Sequence, residues 1–256
     1  MNDRVAIVTG ASAGIGAATA IRLAKDFSGV VLVARRQDEM ESTAASVISS
    51  GSTPLIIAAD LRQPAATDQV IAETIKQFGR IDAVVNIAGA VPQIHLFEMT
   101  DDQWNDGAEM KLHGARRLTL KAWAYLKESQ GSVIFISGNS AIDPKPGFAA
   151  VATINAAIVA LAKAFSEQGI IDGIQVNSVL PGPVMSNRRI GFLQKWAAAN
   201  NMTLEEAKTK FLTASQIRRY GTPEELAELM AFLVSPSAGW LTGAALRMDG
   251  GEVKSI

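Results

Sequence analysis

The run Thr9-Gly10-Ala11-Ser12-Ala13-Gly14-Ile15-Gly16 places three glycines in one short turn. Gly10, Gly14 and Gly16 carry no β-carbon, so a backbone built on them can pass close to a pyrophosphate. A helix opening near Ile15 adds free N–H donors and the positive end of its dipole. A tight strand–helix turn also asks for glycine, so the string gains its weight from its setting. A second charged feature, Arg35-Arg36, lies where a short apolar run ends. Guanidinium groups bind phosphate as charged, often bidentate donors, and Arg35 helped by Ser12 suits a phosphate on a ribose. Two solvated arginines at a helix start would look the same in sequence.

These residues need elements to hold them. Short apolar runs lie near 4–9, 30–34, 55–58, 82–86, 132–137, 174–179 and 244–248. Helical patterns separate them near 15–26, 38–50, 64–78, 101–128, 148–169 and 223–234. Short β-rich runs without polar alternation read as parallel strands buried on both faces. Their alternation with helices predicts an α/β fold, a doubly wound parallel sheet of about seven strands with right-handed crossovers and helices on both faces. No linker or repeat interrupts it, so residues 1–256 read as a single domain. Residues 183–218 break the rhythm with two extra helical patterns, GFLQKWAAAN and TLEEAKTKF, the second opened by a Thr203–Glu206 capping box. Ligands of such sheets bind beyond the carboxyl ends of the strands, so this excursion is a candidate substrate lid. A small structural appendage is the plainer alternative.

Composition narrows the function. The chain is 48% apolar and 19% charged, and its 24 basic and 25 acidic residues leave a net charge of −1. That balance argues against a dominant nucleic-acid or anionic-membrane role. The absence of cysteine excludes disulfides, a Cys nucleophile and thiolate metal sites. Two histidines, His95 and His113, are too few for a His-built centre, so no metal is expected. No uncharged run of about 20 apolar residues suggests a transmembrane helix. MNDRVAIVTG enters a strand at once and leaves no room for a signal peptide. A soluble, cytoplasmic protein with a small-molecule ligand is the default.

Over nearly its whole length the chain resembles the short-chain dehydrogenase/reductase family, a Rossmann-fold family of nicotinamide-dependent oxidoreductases. Its cofactor loop TGxxxGIG is present at Thr9–Gly16, and Asn86-Ile87-Ala88-Gly89 is similar to its NAAG element. Asp60-Leu61 match the position that holds the adenine ring. Pro181-Gly182-Pro183-Val184-Met185-Ser186 resembles the PGxVxT segment, whose last hydroxyl lies near the nicotinamide carboxamide. Leu241-Thr242-Gly243 and Asp249-Gly250-Gly251 match the C-terminal pattern. NAD-preferring relatives carry an acidic residue at the end of the second strand, so Arg35 favours NADP over NAD. The resemblance also implies a homotetramer or homodimer, formed through 101–128, 148–169 and the C-terminal segment.

The same resemblance exposes a departure. The family's YxASK falls on Val151-Ala152-Thr153-Ile154-Asn155, so Val151 takes the place of its Tyr and Asn155 of its Lys. Thirteen residues before Val151, Gly138 takes the place of its Ser. Trp104…Lys111-Leu112-His113-Gly114 matches W…NLxG, so Lys111 takes the place of its Asn. Valine donates no proton, and a general acid contributes about 10²–10⁴-fold. Possible substitutes are Lys111, whose pKa burial can lower, with Ser137, Ser140 and Asn155. The plainer readings are a snorkelling or ion-paired lysine and loop-capping serines. Asp143 and Lys145 lie in a proline-stiffened loop near the mouth. Arg188 and Arg189 open the excursion and can bind a carboxylate or phosphate. Trp104, Trp123, Trp196 and Trp240 read as core or interface residues. Two functions follow: an NADP-dependent oxidoreductase acting on a small carbonyl or alcohol with a rearranged catalytic set, or a pseudoenzyme. The pseudoenzyme would bind NADP(H) or a ligand without turnover, or serve as a subunit beside an active relative.

Overall fold

Successive strand residues face opposite sides of one sheet, and both sides are apolar. In the computed structural model, which describes residues 3–255, the strands are β1 (Val5–Thr9), β2 (Gly29–Ala34), β3 (Thr53–Ala58), β4 (Ala83–Asn86), β5 (Ser132–Ile136), β6 (Gln175–Pro181) and β7 (Ala245–Met248). All neighbours are parallel, in the order β3-β2-β1-β4-β5-β6-β7. On one face Ala6, Val8, Leu32 and Ile134 pack beneath α1 (Gly14–Leu23), α2 (Asp38–Ser49) and α9 (Pro223–Leu233). On the other, Ile7, Val31, Val33 and Phe135 meet α3 (Pro64–Phe78), α5 (Gly114–Ser129) and α6 (Ala149–Asp172). Each large side chain buried here contributes roughly 1.5–3 kcal/mol.

The expected strands and helices are present, within a few residues at their ends. One element differs. The pattern at 101–128 reads as one helix but forms α4 (Asp101–Ala108), a π-turn (Glu109–His113) and then α5. The excursion holds α7 (Asn187–Ala199) and α8 (Leu204–Ser215). It leaves and returns at one neck, where Val184 bridges Gly221 and the Gly221 N–H donates to the Pro183 carbonyl at 3.0 Å. The Thr203–Glu206 capping box forms as expected.

Two features bear on the sequence reading. Residues Pro146–Asp172 are long and apolar enough to cross a membrane by length and composition. This segment is α6 with its leading turn, packed on β5 and β6, and Lys163 and Glu167 form an exposed ion pair on it. Its apolarity comes from close packing of Ala and Ile against the sheet. Of the tryptophans read as core or interface residues, Trp240 is fully exposed and so lies outside the core. Trp123 does pack on the core and donates to Asp172 at 2.9 Å.

Candidate functional site

The strand order reverses between β1 and β4, and a parallel sheet opens a crevice at such a switch point. The loops after these strands are pinned together. The Thr9 hydroxyl oxygen accepts from the Ile87 N–H at 2.9 Å and the Ala88 N–H at 3.0 Å. The Gly10 N–H donates to the Val33 carbonyl at 2.8 Å. Gly16 is required by contact, since a β-carbon there would lie 2.1 Å from the Gly10 carbonyl oxygen. Helix α1 then starts with no side-chain cap and no acidic residue in its first turn. Its first N–H groups stay available to an anion.

Beside this loop lies a cavity of about 180 Å³ lined by Ser12, Arg35, Arg36 and Leu61 among others. The two arginines differ. Arg36 is ion-paired with Glu39, whereas Arg35 makes no ion pair among the described residues. Arg35 is therefore the cation of this cavity without a carboxylate partner among the described residues.

A larger cavity of about 590 Å³ continues from the glycine loop to the excursion at 183–218. Its wall carries Gly10, Gly14, Ile15, Gly16, Ala88, Gly89, Pro181, Gly182, Val184 and Ser186 from the loops read in the sequence. It also carries Lys111, Ser137, Ser140, Val151 and Asn155. Lys111 sits in the π-turn, and its methylenes run over Gly89. Its ammonium donates to the Ser137 carbonyl at 3.0 Å and to Asn155 Oδ1. The Asn155 amide donates onward to Ser140 Oγ at 2.9 Å. Burial, reinforced by the charge of Arg188, lowers the Lys111 pKa to about 7. Lys111 is neither snorkelling nor ion-paired among the described residues.

Gly138 belongs to this arrangement. A β-carbon there would lie 2.7 Å from Asn155 Nδ2, so the amide occupies the space a side chain would need. Ser137 is committed elsewhere, since its buried hydroxyl donates to the Asn155 carbonyl at 2.8 Å. Ser137 and Ser140 both line the cavity, but the Ser137 hydroxyl is taken up by the α6 backbone.

Two expected cofactor residues line neither cavity. The Asp60 carboxylate is engaged by Arg62 at 3.2 Å, and the buried Asn86 amide donates to Thr119 Oγ1 at 3.1 Å. Asn86 thus ties β4 to α5. Ser186 caps α7, accepting from the Arg189 N–H at 3.4 Å. Lys145 pairs with Asp143 at 2.9 Å at the mouth, as solvated loop charges do. Sequence reasoning missed Phe192 and Phe211, which line the cavity from α7 and α8. Their apolar positions on two short amphipathic helices were the available signal.

The family described as enoyl-(acyl carrier protein) reductase matches residues 10–252. The chain is 30% identical to the short-chain reductase protein NovJ of Streptomyces niveus, over 98% of this chain and 94% of that one. It is 31% identical to a 3-oxoacyl-[acyl-carrier-protein] reductase of Synechocystis sp., over 99% and 98% respectively. Among solved structures it is similar to L-sorbose reductase from Gluconobacter frateurii, complexed with NADPH and L-sorbose. That likeness has a TM-score of 0.94 and 28% identity over the full length of both chains.

Proposed function

The chain belongs to the short-chain dehydrogenase/reductase family, and on that premise we propose that it is an oxidoreductase for a small carbonyl or alcohol, using NADP in preference to NAD. The residues present fit such a group: a glycine cradle, an uncapped α1 terminus and an unpaired Arg35. Gly10, Gly14, Ile15 and Gly16 would take the diphosphate, and Arg35 with Ser12 the ribose phosphate. Bound there, the nicotinamide supplies or accepts hydride. A cytoplasmic location is part of the same reading.

The observation that carries the chemistry is the Lys111–Asn155–Ser140 chain. On the family's pattern a lysine belongs at 155 and an asparagine at 111. Here the two residue types have changed places, and their side chains meet. One ammonium and one carboxamide are kept, but they are delivered from opposite helices. An ammonium has three N–H donors, and two are taken by the Ser137 carbonyl and Asn155. The third is free for a ligand oxygen. With a pKa of about 7, Lys111 can give a proton to an alkoxide or take one from an alcohol near neutral pH. Ser140 accepts from Asn155 and keeps its own O–H to donate to the same oxygen.

A second reading is favoured by one observation. Val151 lines the cavity at the family's tyrosine position and offers no proton. Binding without turnover, alone or beside an active relative, would follow. Parallel fluorescence titrations with NADPH and NADH, then NADPH oxidation against small ketones and aldehydes, separate the two. Preferential NADPH binding with turnover, lowered about 10²–10⁴-fold by Lys111→Met, supports the enzyme. Tight binding without turnover supports the second reading. No binding of either cofactor at millimolar concentration would sink both.

A further inference from the structure

We infer that the lid half of the large cavity is built for a ligand bearing a carboxylate or phosphate group, held by Arg188 and Arg189. As the identity of a substrate this rests on the proposed function; as an anion site it does not. Arg189 lies over the rings of Phe192 at 5.4 Å and Phe211 at 4.9 Å. The two rings hold the guanidinium plane, yet its N–H groups have no hydrogen-bond or ion-pair partner among the described residues. Arg188 reaches from the start of α7 to the carbonyls of Gly89 and Val91, each at 3.2 Å. That uses two of its five N–H donors and no carboxylate.

Lys111 stands in the same cavity, so three of its cations form no ion pair among the described residues. Two acids line its wall: Asp143 pairs with Lys145, while Glu252 accepts from Asn139 at 3.0 Å and attracts Arg189 from beyond ion-pair distance. Desolvation lowers the pKa of both arginines, outweighing at Arg189 the attraction of Glu252, so each charge is under-compensated. An incoming oxyanion supplies that compensation and matches the guanidinium fork. The phosphates of a dinucleotide have other partners in the glycine loop and Arg35. The group left for α7 is therefore the ligand's own anion, as in a short oxo acid or a phosphorylated carbonyl compound.

The test is calorimetric and needs no turnover. Acetoacetate is compared with its ethyl ester, and dihydroxyacetone phosphate with dihydroxyacetone, on wild-type protein with and without NADPH. The anionic member of at least one pair is expected to bind at least about tenfold more tightly. Arg188→Gln with Arg189→Gln is expected to erase that preference while the NADPH affinity stays within about twofold. Equal binding within both pairs would overturn the inference. So would a preference that survives the double variant, or a variant that loses NADPH rather than the anion. If the double variant does not fold, Arg189→Lys carries the test: weaker anion binding beside unchanged neutral binding supports the site, and no change overturns it. An arginine-dependent anion preference in a protein that binds no NADPH would keep the site and reject the proposed function. NADPH turnover without anion preference would do the reverse.

Discussion

Lys111 lies well below the ordinary lysine range because protein surrounds its ammonium and Arg188 repels it. The sign of its pH dependence follows. The acid form is present below about pH 7, so carbonyl reduction is expected to fall as pH rises through 7, and alcohol oxidation to rise. A pH–rate profile of kcat in both directions checks this, with Lys111→Met flat over the same interval. Stability should respond as well. Below about pH 7 both folded and unfolded chains hold the proton; between 7 and about 10.5 the unfolded chain holds more. Wild-type stability should therefore gain on Lys111→Met across that window, read as the difference in urea midpoints at pH 6.5 and 9.

The proposed Lys–Asn exchange makes a sharper prediction at the same scale. Asn155→Lys alone puts two ammonium groups together and should weaken both folding and NADPH binding. Adding Lys111→Asn should recover most of the loss, giving a large favourable coupling in the double-mutant cycle. Gly138→Ser should displace the Asn155 amide, given the 2.7 Å approach, and so disturb its bonds to Lys111 and Ser140. The identities of Lys111, Asn155 and Gly138 were legible in the sequence, but their mutual contact was not. They lie on three segments, and only the fold brings them to one wall. The seat of Arg189 was hidden for the same reason, because Phe192 and Phe211 come from different helices.

At the level of elements, periodicity placed the strands and most helices because each buries a continuous apolar face. It could not reveal the π-turn at Glu109–His113, since one extra residue barely disturbs the pattern of α4 and α5. That turn sets the direction of Lys111. An α-helix advances by about 100° per residue, so deleting His113 should regularise the helix and swing Lys111 off the cavity wall. The deletion is expected to leave the melting temperature nearly unchanged while abolishing the titration near pH 7. A normal pH profile in the deletion would show that the turn is incidental. Helices α7 and α8 were legible as helices, and the capping box of α8 was read correctly. Their shared aromatic seat for Arg189 required the neck at Val184–Gly221 to bring them over the crevice.

Across the whole molecule, alternating short strands and helices made the doubly wound sheet legible, because few other architectures bury strands on both faces. Assembly was implied only by resemblance. Leu120 on α5, Ile170 and Ile171 on α6, and Trp240 are large apolar side chains left exposed. We propose that they meet copies of the same chain. Ile171→Glu is then expected to lower the sedimentation coefficient toward that of a monomer, while a wild type already monomeric at micromolar concentration would reject the idea. The strand order has a further outcome, for synthesis. β1 is made first but lies between β2 and β4, and its second neighbour begins only at Ala83. Until that segment leaves the ribosome, the nascent β1-β2-β3 unit carries an unpaired apolar edge. Fragments ending before Ala83 should aggregate, and nascent chains at that length should be the ones that recruit chaperones.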